Sequence, residues 1–132
     1  HGYIRSDFPG GWKGDAVDAF TGLGLTSAQK RTQSYMGAML RWRAQQASIH
    51  YGGTLHFAPD DELYVMARTA RRGQVLLIIN RSNRVRSLQA AEYDEVLRGQ
   101  RLLQRAPSGE GVDWSQPLNI GPMSSVVLYV NP

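Results

Sequence analysis

The strongest constraint in this sequence is the two-residue alternation of side chains running through residues 53–132. Leu63, Val65 and Ala67 interleave with Tyr64, Met66 and Arg68, so each set lies on its own face of an extended strand. Val75-Leu76-Leu77-Ile78-Ile79 is apolar at every position, which predicts a central strand covered on both faces. Near the end of the chain Val126, Leu128 and Val130 share one face, and Val127 and Tyr129 the other. Leu55 to Ala58 is a short apolar stretch, Leu88 to Val96 a weaker one, and Arg101 to Arg105 follows Gly99. Turn chemistry separates these runs at Pro59-Asp60-Asp61, at Arg71-Arg72-Gly73, at Asn80 to Asn83 and in the polar loop Pro107-Ser108-Gly109-Glu110-Gly111. The pattern predicts a mainly β fold, an antiparallel β-sandwich of about seven strands.

A different grammar precedes it. Thr26 with Gln29 forms a capping box, in which hydroxyl and amide side chains satisfy each other's backbone N–H. It opens a helix expected over about Ser27 to Ser48, with Tyr35, Met36, Met39, Leu40, Trp42 and Ala47 as an apolar stripe. Gly52-Gly53 gives the stop, with Ile49 and Tyr51 already outside the helical pattern. Residues 1–26 hold six of the 14 glycines and no sustained period, so they read as one long structured loop. Loops of more than about 12–15 residues are usually functional or belong to something larger. The chain opens His1-Gly2-Tyr3, with no initiator Met and no signal-peptide core, and is expected to be a piece of a longer protein. At 132 residues it is too short for a (β/α) barrel, which needs about 200.

Composition narrows the chemistry. The net charge is +4, but the arginines are scattered and not interleaved with aromatics, so no nucleic-acid partner is expected. The longest apolar run, Val75 to Ile79, is far short of a membrane span, and no membrane partner is expected. Without cysteine there is no thiolate site, and His50 and His56 lack a third ligand nearby, so neither metal nor cofactor is expected. There is no G-x-S-x-G elbow, and Gly22-Leu23-Gly24-Leu25-Thr26-Ser27 lacks the Lys of a phosphate loop. A glycosidase needs two carboxylates about 5–9 Å apart across a cleft. Only Asp7, Asp15 and Asp18 are placed for that, and loop carboxylates more often cap backbone N–H groups. No catalytic residue is assigned.

The run His1-Gly-Tyr-Ile-Arg5-Ser-Asp7-Phe-Pro-Gly-Gly-Trp12, followed by Gly14-Asp15, Asp18-Ala-Phe20-Thr-Gly22 and Gly24-Leu25-Thr26, resembles the late part of neopullulanases and cyclomaltodextrinases. These are glycoside hydrolases of the alpha-amylase superfamily. Leu40-Arg41-Trp42-Arg43, Ile49-His50-Tyr51-Gly52 and His56-Phe57-Ala58-Pro59 are similar to the same family, and the step at Asn80 and Tyr93 to Gly99 more loosely. Asp18 stands where relatives often carry Asn. The resemblance implies that residues 1–52 are the last loop and helix of a catalytic barrel. Residues 53–132 are then the Greek-key sandwich called domain C. The family's nucleophile, acid/base and third aspartate all lie upstream, so this chain is expected to be non-catalytic and to stabilise the barrel of an enzyme acting on alpha-glucans. Its partners would be the rest of that barrel and, in the parent enzyme, an alpha-glucan. The exposed helix would permit self-association. Arg5, Asp7 and Trp12 are the implied substrate-binding residues: Trp12 to stack on a sugar face, Arg5 and Asp7 to bond hydroxyls or each other. The alternative is a carbohydrate-binding module, whose aromatic platform would come from Phe57, Tyr64, Tyr93, Trp114 and Tyr129.

Overall fold

The computed structural model describes residues 8–130. The chain divides into two compact units, the first ending at Ala38 and the second beginning at Met39. The division falls inside the helix α1 (Ser27–Ala44). The capping box forms as the sequence predicts: Thr26 N donates to Gln29 Oε1 at 2.8 Å, and Gln29 N donates to Thr26 Oγ1 at 3.2 Å. In the first unit Gln33 Nε2 also donates to the Ala19 carbonyl at 2.6 Å, tying the glycine-rich loop to the helix.

The second unit is the sandwich. Its eight strands are β1 (Gly53–His56), β2 (Leu63–Thr69), β3 (Gln74–Asn80), β4 (Arg86–Leu88), β5 (Leu102–Arg105), β6 (Glu110–Asp113), β7 (Leu118–Ile120) and β8 (Ser124–Val130). Six form one antiparallel sheet in the order β1-β2-β3-β8-β5-β6, and β4 pairs with β7 in a second. β8 returns past the β5–β6 hairpin to lie beside β5, the return that a Greek key makes. β3 sits inside the large sheet; Leu76 and Ile78 on one face are buried, and on the other Val75 is buried while Leu77 and Ile79 are half-buried. Leu76 and Ile78 point into the main core, with Val65, Leu103 and Leu128 from their own sheet and Leu88 and Ile120 from the small one. Val75 points the other way, with Tyr129 and Ala106, against Met39, Trp42 and Ile49.

Several local expectations change. The helix stops at Ala44, because Gln46 takes an extended backbone (φ −94°, ψ 98°), and a second helix, α2 (Ala47–Tyr51), takes in Ile49 and Tyr51. Ile49 then serves the sheet-facing cluster, a tertiary contact that helical spacing within α1 does not encode. Residues 88–96 are not a strand beyond Leu88. Ala90–Tyr93 is a 3-10 turn running into the one-turn helix α3 (Asp94–Leu97), which buries Ala90, Tyr93, Val96 and Leu97. That three- and four-residue burial spacing is helical, although a short apolar run reads equally as strand. The polar loop is shorter than its composition suggests, since Glu110 and Gly111 already pair with Arg105 and Gln104. The apolar stripe of α1 is also not uniformly covered: Met39 and Trp42 pack on the sheet, whereas Tyr35, Met36 and Leu40 are 54%, 50% and 58% exposed.

Asn80, at the end of β3, joins the layers. It is buried, and its Nδ2 lies 2.8 Å from the Arg84 carbonyl, 3.1 Å from that of Ile120 and 2.8 Å from that of Gly121. Its Oδ1 accepts from Ser82 N at 3.0 Å and from Ser82 Oγ at 2.6 Å. One amide thus satisfies backbone from the turn after β3 and from the small sheet. At the end of α3, Arg98 takes a left-handed conformation and Asp94 Oδ1 accepts from Arg101 Nη1 at 2.9 Å and from Gly99 N at 3.1 Å.

Asn80→Leu takes the side-chain donor from the buried Ile120 carbonyl and the acceptor from the buried Ser82 N–H, and each unsatisfied group costs about 1–3 kcal/mol, so urea denaturation should show a loss of about 2 kcal/mol or more; a loss within experimental error would contradict this role. The Arg101 hydrogen bond, and then the Gly99 N–H, hold the Asp94 carboxyl below its ordinary value of 3.8. A depressed folded-state value stabilises the fold above the unfolded value, and that contribution disappears as pH falls through the folded one. Stability measured from about pH 6 down to about pH 3 should therefore show wild type and Asp94→Asn converging in acid. A gap that stays constant would contradict it.

Candidate functional site

The glycine-rich loop is the first place to look for chemistry. Arg5 and Asp7 lie outside the described residues. Trp12 is 82% exposed, and its backbone forms a closed turn with Asp15: Trp12 N donates to Asp15 Oδ2 at 3.1 Å and Asp15 N donates to the Trp12 carbonyl at 3.3 Å. Asp18 Oδ1 accepts from Phe20 N at 2.7 Å and Thr21 N at 3.1 Å, while Asp18 N donates to the Leu23 carbonyl at 2.8 Å. Gly10 packs against this carboxylate at φ +103°, where a Cβ would stand 2.6 Å from Asp18 Oδ1, so no larger residue fits. Asp15 and Asp18 therefore serve as backbone caps, each through one carboxylate oxygen. Phe8 and Phe20 meet edge to face at 5.4 Å and are 65% and 75% exposed, so with Trp12 the described part of the loop carries three exposed aromatics.

On the sandwich Asp60, Asp61, Asp94, Glu110 and Asp113 have local partners. Asp60 and Asp61 pair with Arg86, and Asp61 with Arg84. Hydrogen bonds from Ser115, side chain first and then backbone, hold the Asp113 carboxyl below its usual range. Among the described residues no three His, Asp or Glu side chains gather as metal ligands. Burial first, and the charge of Glu92 second, push the Tyr93 phenol up to about 12, which keeps it neutral. Tyr93 belongs to the core, between Phe57 at 4.9 Å and Trp114 at 5.5 Å. Trp114 is 1% exposed and donates from Nε1 to the Leu88 carbonyl at 3.0 Å. With Tyr129 also buried, three of the five candidate sugar platforms of the sandwich are spent inside it.

The feature that sequence reasoning missed is a groove of about 490 Å³ on the outer face of the large sheet. It lies between the end of α1, α2 and strands β1, β2, β3 and β8. Trp42 from α1 tilts against Tyr129 of β8 at 5.2 Å. Arg68 of β2 spans the groove wall, donating to the Ile49 carbonyl at 2.7 Å and to Thr54 Oγ1. Two N–H groups of this lining, Trp42 Nε1 and Arg68 Nε, are buried without an acceptor. In the sequence Arg68 was legible only as one outward position of a strand; nothing in the spacing linked it to Trp42.

Solved structures share this fold. AmyP in complex with maltose superposes with a TM-score of 0.66 at 12% identity, over 82% of this chain and 22% of that one. An Anoxybacillus alpha-amylase gives 0.61 at 14% identity, over 93% and 26%. Cyclic alpha-maltosyl-(1→6)-maltose hydrolase from Arthrobacter globiformis, in its ligand-free form, gives 0.54 at 14% identity, over 94% and 25%. The chain thus spans about a quarter of the length of the solved chains it matches. Residues 54–129, from the first strand to the last, match the model of the cyclo-malto-dextrinase C-terminal domain, and the chain belongs to that family.

Proposed function

We propose that this chain is the non-catalytic C-terminal part of an alpha-amylase-family glycoside hydrolase acting on alpha-glucans, and that it stabilises the catalytic barrel of that enzyme. The observation that carries the reading is the family match over residues 54–129, joined to a helix and loop rather than standing alone. The chemistry supports it: Asp15 and Asp18 are engaged with backbone N–H groups, and glycoside hydrolysis needs two carboxylates free to face one bond.

Within this reading residues 1–52 are the closing loop and helix of the barrel and residues 53–132 its domain C. Barrel enzymes build their sites from the loops that follow the strands, which makes the loop the part of this chain nearest to substrate. Trp12 is the residue we assign to stacking on a sugar ring, with Arg5 and Asp7 fixing the loop or bonding hydroxyls. Apolar side chains left open on α1, among them Met36 and Leu40, are then barrel-facing, and the chain on its own would tend to self-associate through them.

The expected result of incubating the isolated chain with maltooligosaccharides and cyclodextrins is no released sugar above a protein-free control. Measurable turnover that survives Asp15→Asn and Asp18→Asn exchange would reveal other catalytic groups and contradict the assignment; so would turnover that those exchanges abolish.

A further inference from the structure

A small cleft opens on the sandwich between the stretch that follows β1, the start of β2 and the 3-10 turn Ala90–Tyr93. Phe57, Leu63 and Tyr93 give it apolar walls, and Asp60 and Glu92 bring carboxylates to it. We propose that this cleft binds one pyranose ring of a saccharide, whose hydroxyls bond the Glu92 carboxylate and the Tyr93 hydroxyl while its C–H groups lie on Phe57. The inference goes beyond the barrel-stabilising role and does not rest on it.

Tyr93 carries the first argument. The residue is 6% exposed, with its ring against those of Phe57 and Trp114. Its hydroxyl has no hydrogen-bond partner among the described residues, yet it is not among their sealed polar atoms, which are Trp42 Nε1 and Arg68 Nε. Burial first, and then the charges of Glu92, Arg86 and Asp60, act on that hydroxyl, and Glu92 and Asp60 both line the cleft. The oxygen therefore lies at the cleft, on a phenol that stays protonated and can both donate and accept. A residue so deeply buried normally has its polar atom paired within the protein. The ring is spent on the core; the hydroxyl is not.

The surroundings give the second argument. Glu92 is exposed and forms no ion pair among the described residues. Asp60 is fixed in place: Arg86 donates to its carbonyl at 3.2 Å and to its Oδ2 at 2.5 Å. That guanidinium decides the class of ligand. Aromatic rings beside carboxylates would suit an ammonium group, but Arg86 already answers Asp60 and would repel a second cation. An anion would meet Glu92, and a wholly apolar ligand would cover the carboxylate and the phenol without partners. A neutral ring with several hydroxyls donates to Glu92, pairs with Tyr93 and lays its C–H groups on Phe57. Size sets the limit. At about 230 Å³ the cleft is smaller than the roughly 300–1,000 Å³ of sites for drug-sized ligands, which leaves room for one ring and not for a chain of them.

Amide NMR of this chain tests the assignment, with methyl α-glucoside and maltotriose as probes and the fold of each variant checked by circular dichroism. Saturable shifts at the Leu63, Glu92 and Tyr93 amides are expected with both sugars at similar midpoints, because one ring suffices. Tyr93→Phe keeps the ring between Phe57 and Trp114 and removes only the hydroxyl, so the midpoint should rise about fivefold. Glu92→Ala, at an exposed side chain, should raise it at least as much. Either variant, folded and binding as wild type does, would overturn the proposal. Saturation with maltotriose but not with the glucoside would contradict a single-ring site. Saturation with tetramethylammonium chloride and with neither sugar would make the ligand a cation instead, and shifts confined to residues around Trp12 would move the sugar to the loop. No saturable shift with any probe would leave the cleft to water and end the proposal.

Discussion

The need of β3 for cover on both faces is the constraint around which this fold is arranged. A strand that is apolar throughout needs cover above and below. One face receives it from the small sheet of β4 and β7, through Leu88 and Ile120. The other receives it from the end of α1 and from α2, through Met39, Trp42 and Ile49. The second unit is therefore more than a sandwich: its helical residues form a third layer, and Trp42 against Tyr129 is the centre of that contact. Asn80 closes the arrangement where β3 ends, because a strand leaving one sheet for a turn must find partners for the carbonyls that converge there.

How much of this is legible in the sequence follows from the range of the forces involved. The capping box needs two residues three apart and forms as read. The central place of β3 shows in five consecutive apolar residues, although Leu77 and Ile79 on its second face end only half-buried. Leu88 to Val96 reads as a weak strand because a short apolar segment carries little period, and what decides the helical form beyond Leu88 is the pocket filled by Tyr93, Val96 and Leu97 beside Trp114. The break between α1 and α2 and the second role of Ile49 depend likewise on a sheet that lies far along the chain. Arg68 bonding Ile49 and Thr54 is a meeting of three elements that no local pattern announces. Of the three loop residues singled out for substrate, Trp12 is the one within the described chain, and its exposure suits a stacking surface.

The functional reading joins a scaffold to a missing chemistry. Asp15 and Asp18, which sequence alone leaves open to catalysis, serve the backbone, and three aromatics of the sandwich that invite a sugar-binding reading serve its core: Tyr93, Trp114 and Tyr129 are buried. What stays uncommitted is surface: the exposed apolar residues of α1, the aromatics of the loop and the groove beneath Trp42. Large uncommitted apolar surface on a small protein is the mark of a place for a partner. In this account the partner is covalently attached, and the value of the sandwich to the enzyme is mechanical and thermodynamic rather than chemical.

The most direct measurement of that claim is the thermal inactivation of the proposed parent enzyme with and without residues 54–129. The account predicts that the shortened enzyme still cleaves its alpha-glucan at low temperature, since its carboxylates are elsewhere, but inactivates well below the temperature of the complete one. An unchanged inactivation temperature, or complete loss of cleavage from a barrel that remains folded, would contradict it.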